Sequence, residues 1–187
     1  MSKKVNDKVS VTRNDLRKLA AAAICLALCM VLPFFTAQNQ QLGNAMCLMH
    51  IPVLLCGFIC GWQYGALIGF VAPLLRYLVF GMPPLMPVGA AMAFELAVYG
   101  LVTGLLYKLL PKKVPYIYVS LVSAMLLGRV VWGLVKYRIA GFQDGSFGFD
   151  AFVSGAFTVA VPGIIIQIVL IPVIVLALKK AKLMGED

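Results

Sequence analysis

The sequence predicts an all-α membrane protein: about six transmembrane helices in one compact bundle, with both termini cytoplasmic. Three observations carry that expectation. Of the 187 residues, 62% are hydrophobic and 12% charged, with a mean hydropathy of +0.96; soluble domains are about 45–50% apolar and about 25% charged. The apolar residues come in long runs, and in lipid a single run can satisfy its own backbone only as a helix. Basic residues gather at three places: Lys3, Lys4, Lys8, Arg13, Arg17 and Lys18 at the start, Lys108, Lys112 and Lys113 in the middle, and Lys179, Lys180 and Lys182 at the end. Short basic segments mark the cytoplasmic side of a membrane. The net charge of +9 therefore encodes topology and does not call for nucleic acid.

The first apolar span runs from about Leu16 to Phe35, with Thr12 or Asn14 placed to cap its start and Pro33 near its end. An uncharged polar stretch, Thr36 to Asn44, follows. The second span, Met49 to Gly61, and the third, Ala66 to Phe80, are shorter than the roughly 20 residues that cross a bilayer, so tilting, local thinning or shielding by neighbours is required. Gly61-Trp62-Gln63-Tyr64-Gly65 reads as the tight connection between them. Pro83, Pro84 and Pro87 exclude regular helix from the next loop. The fourth span covers Val88 to Leu110 and ends at a basic turn bearing Pro111 and Pro115. The fifth covers Tyr116 to Ile139. A Gly-rich loop with Asp144 and Asp150 leads to the sixth, Ala151 to Leu178, which Pro162 and Pro172 are expected to break. An even number of spans puts both basic tails inside. The three outer loops then carry no Lys or Arg.

Small residues supply packing signals. Gly57, Gly61, Gly65 and Gly69 recur every four residues, and Gly100 and Gly104 repeat the spacing. Such stripes let helices approach backbone to backbone. Ala20, Ala23 and Ala27 share a face of the first helix, for packing inside the bundle or for another membrane protein. The five cysteines form no CxxC pair and read as small buried apolar residues. No metal or cofactor is expected. The basic N-terminal stretch reads as a tail rather than a cleaved signal peptide.

Three charged residues interrupt the apolar runs: Arg76, Glu95 and Arg129. A charge at mid-helix costs about 2.5–3.5 kcal/mol on insertion scales, and such residues pair, line a wet cavity or bind something polar. Glu95 can pair with Arg76 or with Arg129, and either choice leaves one arginine without a carboxylate. That arginine invites an anion. Trp132 and Lys136 follow Arg129 on one helical face, Tyr99 is one turn from Glu95, and Ser154 and Thr158 share a face of the sixth span. Apolar rings around a few convergent polar groups suit a small-molecule pocket; Trp132 as a plain interface aromatic is the alternative. His50, the sole histidine, fits a cap, loop packing or a ligand contact. The chain has no phosphate-binding GxxxxGK[ST] loop, no GxSxG and no HExxH, so it is not expected to be an enzyme or to hydrolyse ATP alone.

Several blocks in order, Asn44 to Gly57, Gly61 to Gly69, Pro73 to Arg76, Gly81 to Pro87, Ala93 to Gly100 and Gly128-Arg129, resemble the substrate-binding S components of energy-coupling factor (ECF) transporters. The resemblance runs from about Arg17 to Leu178. It implies a six-helix protein of a bacterial plasma membrane that captures a water-soluble vitamin from outside. It also implies partners: a transmembrane coupling protein and two ATPase subunits, on which the protein docks, topples in the bilayer and releases its ligand. The family's docking face is an AxxxA pattern on the first helix, matched by Ala23 and Ala27. Its pocket maps onto Glu95, Tyr99, Arg129, Trp132 and Ser154, with Asn39 and Asn44 in the lid. Arg76 and His50 complete the candidate contacts. The chain then divides into a basic tail (1–13), a substrate-binding transmembrane domain (14–180) and a C-terminal tail (181–187). Pantothenate is the first substrate expected, because its carboxylate suits Arg129. Folate, riboflavin, cobalamin and a pyridoxine-like compound are the others. The rival readings are a stand-alone membrane transporter or channel, and a membrane enzyme using Glu95 and His50 as acid and base.

Overall fold

The computed structural model describes residues 2–36, 46–143, 148–181 and 184. Asn39 and Asn44 lie outside the described residues. Among the described residues, six principal helices form the bundle: α1 (Ser2–Val31), α2 (His50–Cys60), α3 (Trp62–Phe80), α4 (Ala90–Leu109), α5 (Val114–Gln143) and α6 (Val161–Lys180). Five of the six are long and apolar enough to cross a membrane. Large apolar side chains such as Ile24, Leu78, Leu127, Leu134 and Val169 point outward. In water this surface would aggregate, and in a bilayer it is the lipid-facing coat.

Prolines set several boundaries. α1 stops at Val31 and tightens into a 3₁₀ turn over Leu32–Thr36 that contains Pro33. Between α3 and α4, Met86 is extended at φ −119°, ψ 136°, as the proline run requires. Pro115 and Pro162 sit in the first turns of α5 and α6, where a missing N–H costs nothing. The expected sixth span is corrected on two points. Its first part is a separate pair of turns, Phe149–Val153 and the wide Ser154–Thr158. Pro172, by contrast, lies inside an unbroken α6, which membrane helices tolerate.

The connection between α2 and α3 is also tighter than expected. Gly61 alone, at φ +93°, makes the turn, and Trp62 is already helical. A side chain would strain that conformation. α3 thereby gains the length to span a membrane, whereas α2, with 11 residues, rises only about 16 Å. α2 resolves its shortfall by shielding: every residue but Ile59 is buried, against α1, α3, α4 and α6.

α4 is the centre of the bundle, packed against α2, α3 and α5. Its contact with α3 is made by the glycine stripe. A Cβ at Gly65 would stand 2.6 Å from the Gly100 carbonyl oxygen, and one at Gly69 would strike the Leu96 backbone. The stripe thus serves internal packing. The alanine face of α1 does not. Ala23 and Ala27 are exposed, while Ala22, Cys25 and Cys29 on the other side of the helix are buried. All five cysteines are buried thiols, not joined in disulfides.

Candidate functional site

Each expected ionic residue is buried, and the structure separates them into two groups. Glu95 on α4, Arg129 on α5 and His50 at the start of α2 are 1%, 6% and 4% exposed. Arg129 Nη1 lies 3.2 Å from Glu95 Oε1, and His50 Nε2 lies 3.5 Å from the same oxygen. Glu95 therefore pairs with Arg129. Arg76 stands apart from this cluster. Its Nη1 donates to the Met30 carbonyl at 2.6 Å, and its guanidinium lies 5.3 Å from the ring centroids of both Phe34 and Phe80. It ties α3 to the end of α1.

Around the Glu95–Arg129 pair a polar shell closes from four elements. Tyr99, one turn along α4 from Glu95, is fully buried and meets the His50 ring edge-on at 5.3 Å. Arg129 Nη2 donates to Cys47 Sγ at 3.2 Å, and Gln167 Nε2 on α6 donates to the Cys47 carbonyl at 3.4 Å. Cys47 reaches both through a left-handed backbone, φ 49°. Gln167 and Cys47 were not anticipated as site residues. Gln167 did leave a signal, as the one polar side chain between Val161 and Leu178.

Burying an ion pair is costly, because desolvation can exceed the mutual attraction unless the remaining polar atoms are also satisfied. Here they are not satisfied by protein. Glu95 Oε1, Arg129 Nη1 and His50 Nε2 engage one another, but among the described residues His50 Nδ1, Arg129 Nε and Gln167 Oε1 have no hydrogen-bond partner. Each such group costs about 1–3 kcal/mol if nothing else pairs with it. Donors and acceptors left over together in one place are groups that a polar partner would satisfy.

One turn further along α5, the surroundings become aromatic. Trp132 packs on Ala91 of α4 and faces Phe152 with ring centroids 6.5 Å apart. Lys136 Nζ sits 4.5 Å over the Trp132 ring, a cation–π contact. The turn after Phe152 lies against the same indole, since a Cβ at Gly155 would stand 2.8 Å from it. Ser154, on that turn, is exposed and does not join the polar cluster. The result is two tiers: an ionic floor between α2, α4, α5 and α6, and an aromatic rim of Trp132 and Phe152. No group of three or more His, Cys, Asp or Glu side chains among the described residues could hold a metal.

A family model described as the substrate-specific component of ECF transporters matches residues 17–175. The chain belongs to that family. Neither a curated protein nor a solved structure gives a significant match. The match to this S-component family spans all six helices, so the ionic floor and the aromatic rim both lie within the matched region. The protein is thus a membrane-embedded, substrate-specific transport component.

Proposed function

We propose that this S component captures a small water-soluble vitamin from outside a bacterial cell and passes it inward by docking on a transmembrane coupling protein with two ATPase subunits. It is read as having no catalytic role. The observation that carries the reading is the buried Glu95–Arg129–His50 cluster with its unpartnered donors and acceptors. Polar recognition in a dry setting discriminates strongly, because a ligand lacking the right group leaves buried atoms unpaired. Tyr99 and Gln167 add hydroxyl and amide chemistry to the floor, and Trp132 supplies an apolar wall. Asn39 and Asn44 are proposed as lid residues and Ser154 as a rim contact.

Pantothenate is the first candidate ligand. Its carboxylate would replace Glu95 as a partner of Arg129, while its hydroxyl and amide groups would meet His50, Tyr99 and Gln167. A second candidate is favoured by the pairing itself: Arg129 is already neutralised by Glu95, which suits an uncharged ring such as a pyridoxine-like compound against Trp132. Folate, riboflavin and cobalamin complete the panel. Titration of the purified chain with each vitamin, followed by Trp fluorescence, separates them. Saturable binding of one compound, weakened by Arg129→Ala, supports the reading. No binding across the panel, or unchanged affinity in the variant, overturns it.

Docking is assigned to the exposed Ala23–Ala27 face of α1. Ala23→Trp is expected to abolish uptake in cells and co-purification with the coupling protein while leaving vitamin affinity intact. Uptake by the chain alone in liposomes would instead establish the stand-alone transporter.

A further inference from the structure

At the basic end of the bundle, far along α4 from Glu95, lies a second cleft of about 280 Å³. Three elements each contribute a lysine: Lys18 from α1, Lys108 from the last turn of α4, and Lys112 from the turn before α5. Trp62, Gln63 and Tyr107 also line it. Lys179 at the end of α6 donates to the Lys112 carbonyl at 2.6 Å, fastening a fourth basic residue beside the cleft. Gathering these cations costs repulsion.

The floor of the cleft favours a negative guest. Gly57, Gly61 and Gly104 line it without side chains. α3 begins there at Gly61 with no side-chain cap, so its first-turn N–H groups add to the positive potential. Trp62 is 39% exposed, and an indole at a membrane–water boundary sits at headgroup depth.

We propose that this cleft binds a phosphate group, supplied by an anionic phospholipid headgroup of the leaflet that faces it or by a soluble phosphate ester. Basic pockets between membrane helices have the charge and depth for such headgroups. The site is separate from the vitamin floor and independent of which vitamin is bound.

The test uses the purified full chain in a neutral detergent, with melting temperature followed against added short-chain phosphatidylglycerol, phosphatidylcholine or glycerol 3-phosphate. Phosphatidylglycerol is expected to raise the melting temperature saturably and phosphatidylcholine to leave it unchanged. The triple variant K18Q/K108Q/K112Q should weaken the response roughly a hundredfold, at about fivefold per lysine. The charge-matched variant K3Q/K4Q/K8Q should change it by less than about twofold. A response to glycerol 3-phosphate as strong as to phosphatidylglycerol assigns the site to soluble esters, and a response to the lipid alone assigns it to the headgroup. Equal loss in both variants, or equal responses to the two lipids, overturns the proposal. So does an intact lipid response in K18Q/K108Q/K112Q with loss of partner co-purification, which would make the cleft a protein-docking surface. Should the triple variant not fold, Gln63→Glu places a carboxylate in the cleft and is expected to abolish the response; an unchanged response in that variant overturns the proposal.

Discussion

Arg129 and Arg76 are equally hidden, at 6% and 3% exposure, yet they do different work. Arg129 faces a carboxylate and a histidine, and leftover polar atoms surround it. Arg76 faces a helix-end carbonyl and two phenyl rings. A carbonyl at the end of α1 lacks an intrahelical donor, and a guanidinium is well suited to supply one while stacking on aromatics. Arg76 therefore finishes a helix, whereas Arg129 belongs to a cluster with recognition capacity to spare. Burial of a charge within a membrane span points to a purpose, and its partners say which.

Four variants break or sharpen that contrast. The largest effect is expected from Glu95→Ala, which strands Arg129 in the core. Loss of about 3–5 kcal/mol of stability is expected, read as a drop in chemical-denaturation midpoint, along with complete loss of ligand binding. The double variant E95M/R129M sharpens the same point: with both charges gone, stability should return to within about 1 kcal/mol of the parent or exceed it, while ligand binding stays absent. Recovery of binding in that variant would remove the ion pair from the site.

Arg76→Met comes next. Loss of one charge-assisted hydrogen bond and the ring contacts is expected to cost about 2 kcal/mol. Ligand affinity, by calorimetry, should stay within about twofold of the parent. A large affinity loss without loss of stability would place Arg76 in the binding site after all. The smallest effect is expected at His50→Ala, where one contact to Glu95 is removed: about a fivefold rise in Kd and little change in melting temperature.

The general plan was legible because its signals are local. Hydropathy marks runs of residues, prolines mark their ends, and a four-residue glycine spacing fixes a helix face. Those cues placed α4, α5 and the membrane-crossing part of α1 closely; the grouping of Glu95, Tyr99, Arg129 and His50, along with Arg76, Trp132, Ser154, Asn39 and Asn44, came from the family resemblance. What sequence left open depends on neighbours. Nothing local says that Gly61 alone turns the chain, so α3 was drawn too short. Which arginine serves Glu95 follows from the packing of α5 on α4, not from spacing. Cys47 enters the site through its backbone conformation and its carbonyl, which residue type does not report. Gln167 carries no formal charge to mark it, although an amide buried in a membrane helix also needs partners. The alanine face of α1 was balanced between internal packing and an outside partner. Its exposure leaves it unpacked among the described residues.

The seam between α3 and α4 constrains how this molecule can move. At Gly65 and Gly100 the two main chains touch with no side chain between them, so there is no rotamer to rearrange and no slack to take up. Sliding α4 along α3 by one turn would bring Leu96, which shares the face of Gly100, into the space that only a hydrogen atom fits. Any reorientation in the bilayer must then carry this pair as a single plank, leaving α1 and the loops at the two ends to accommodate the change.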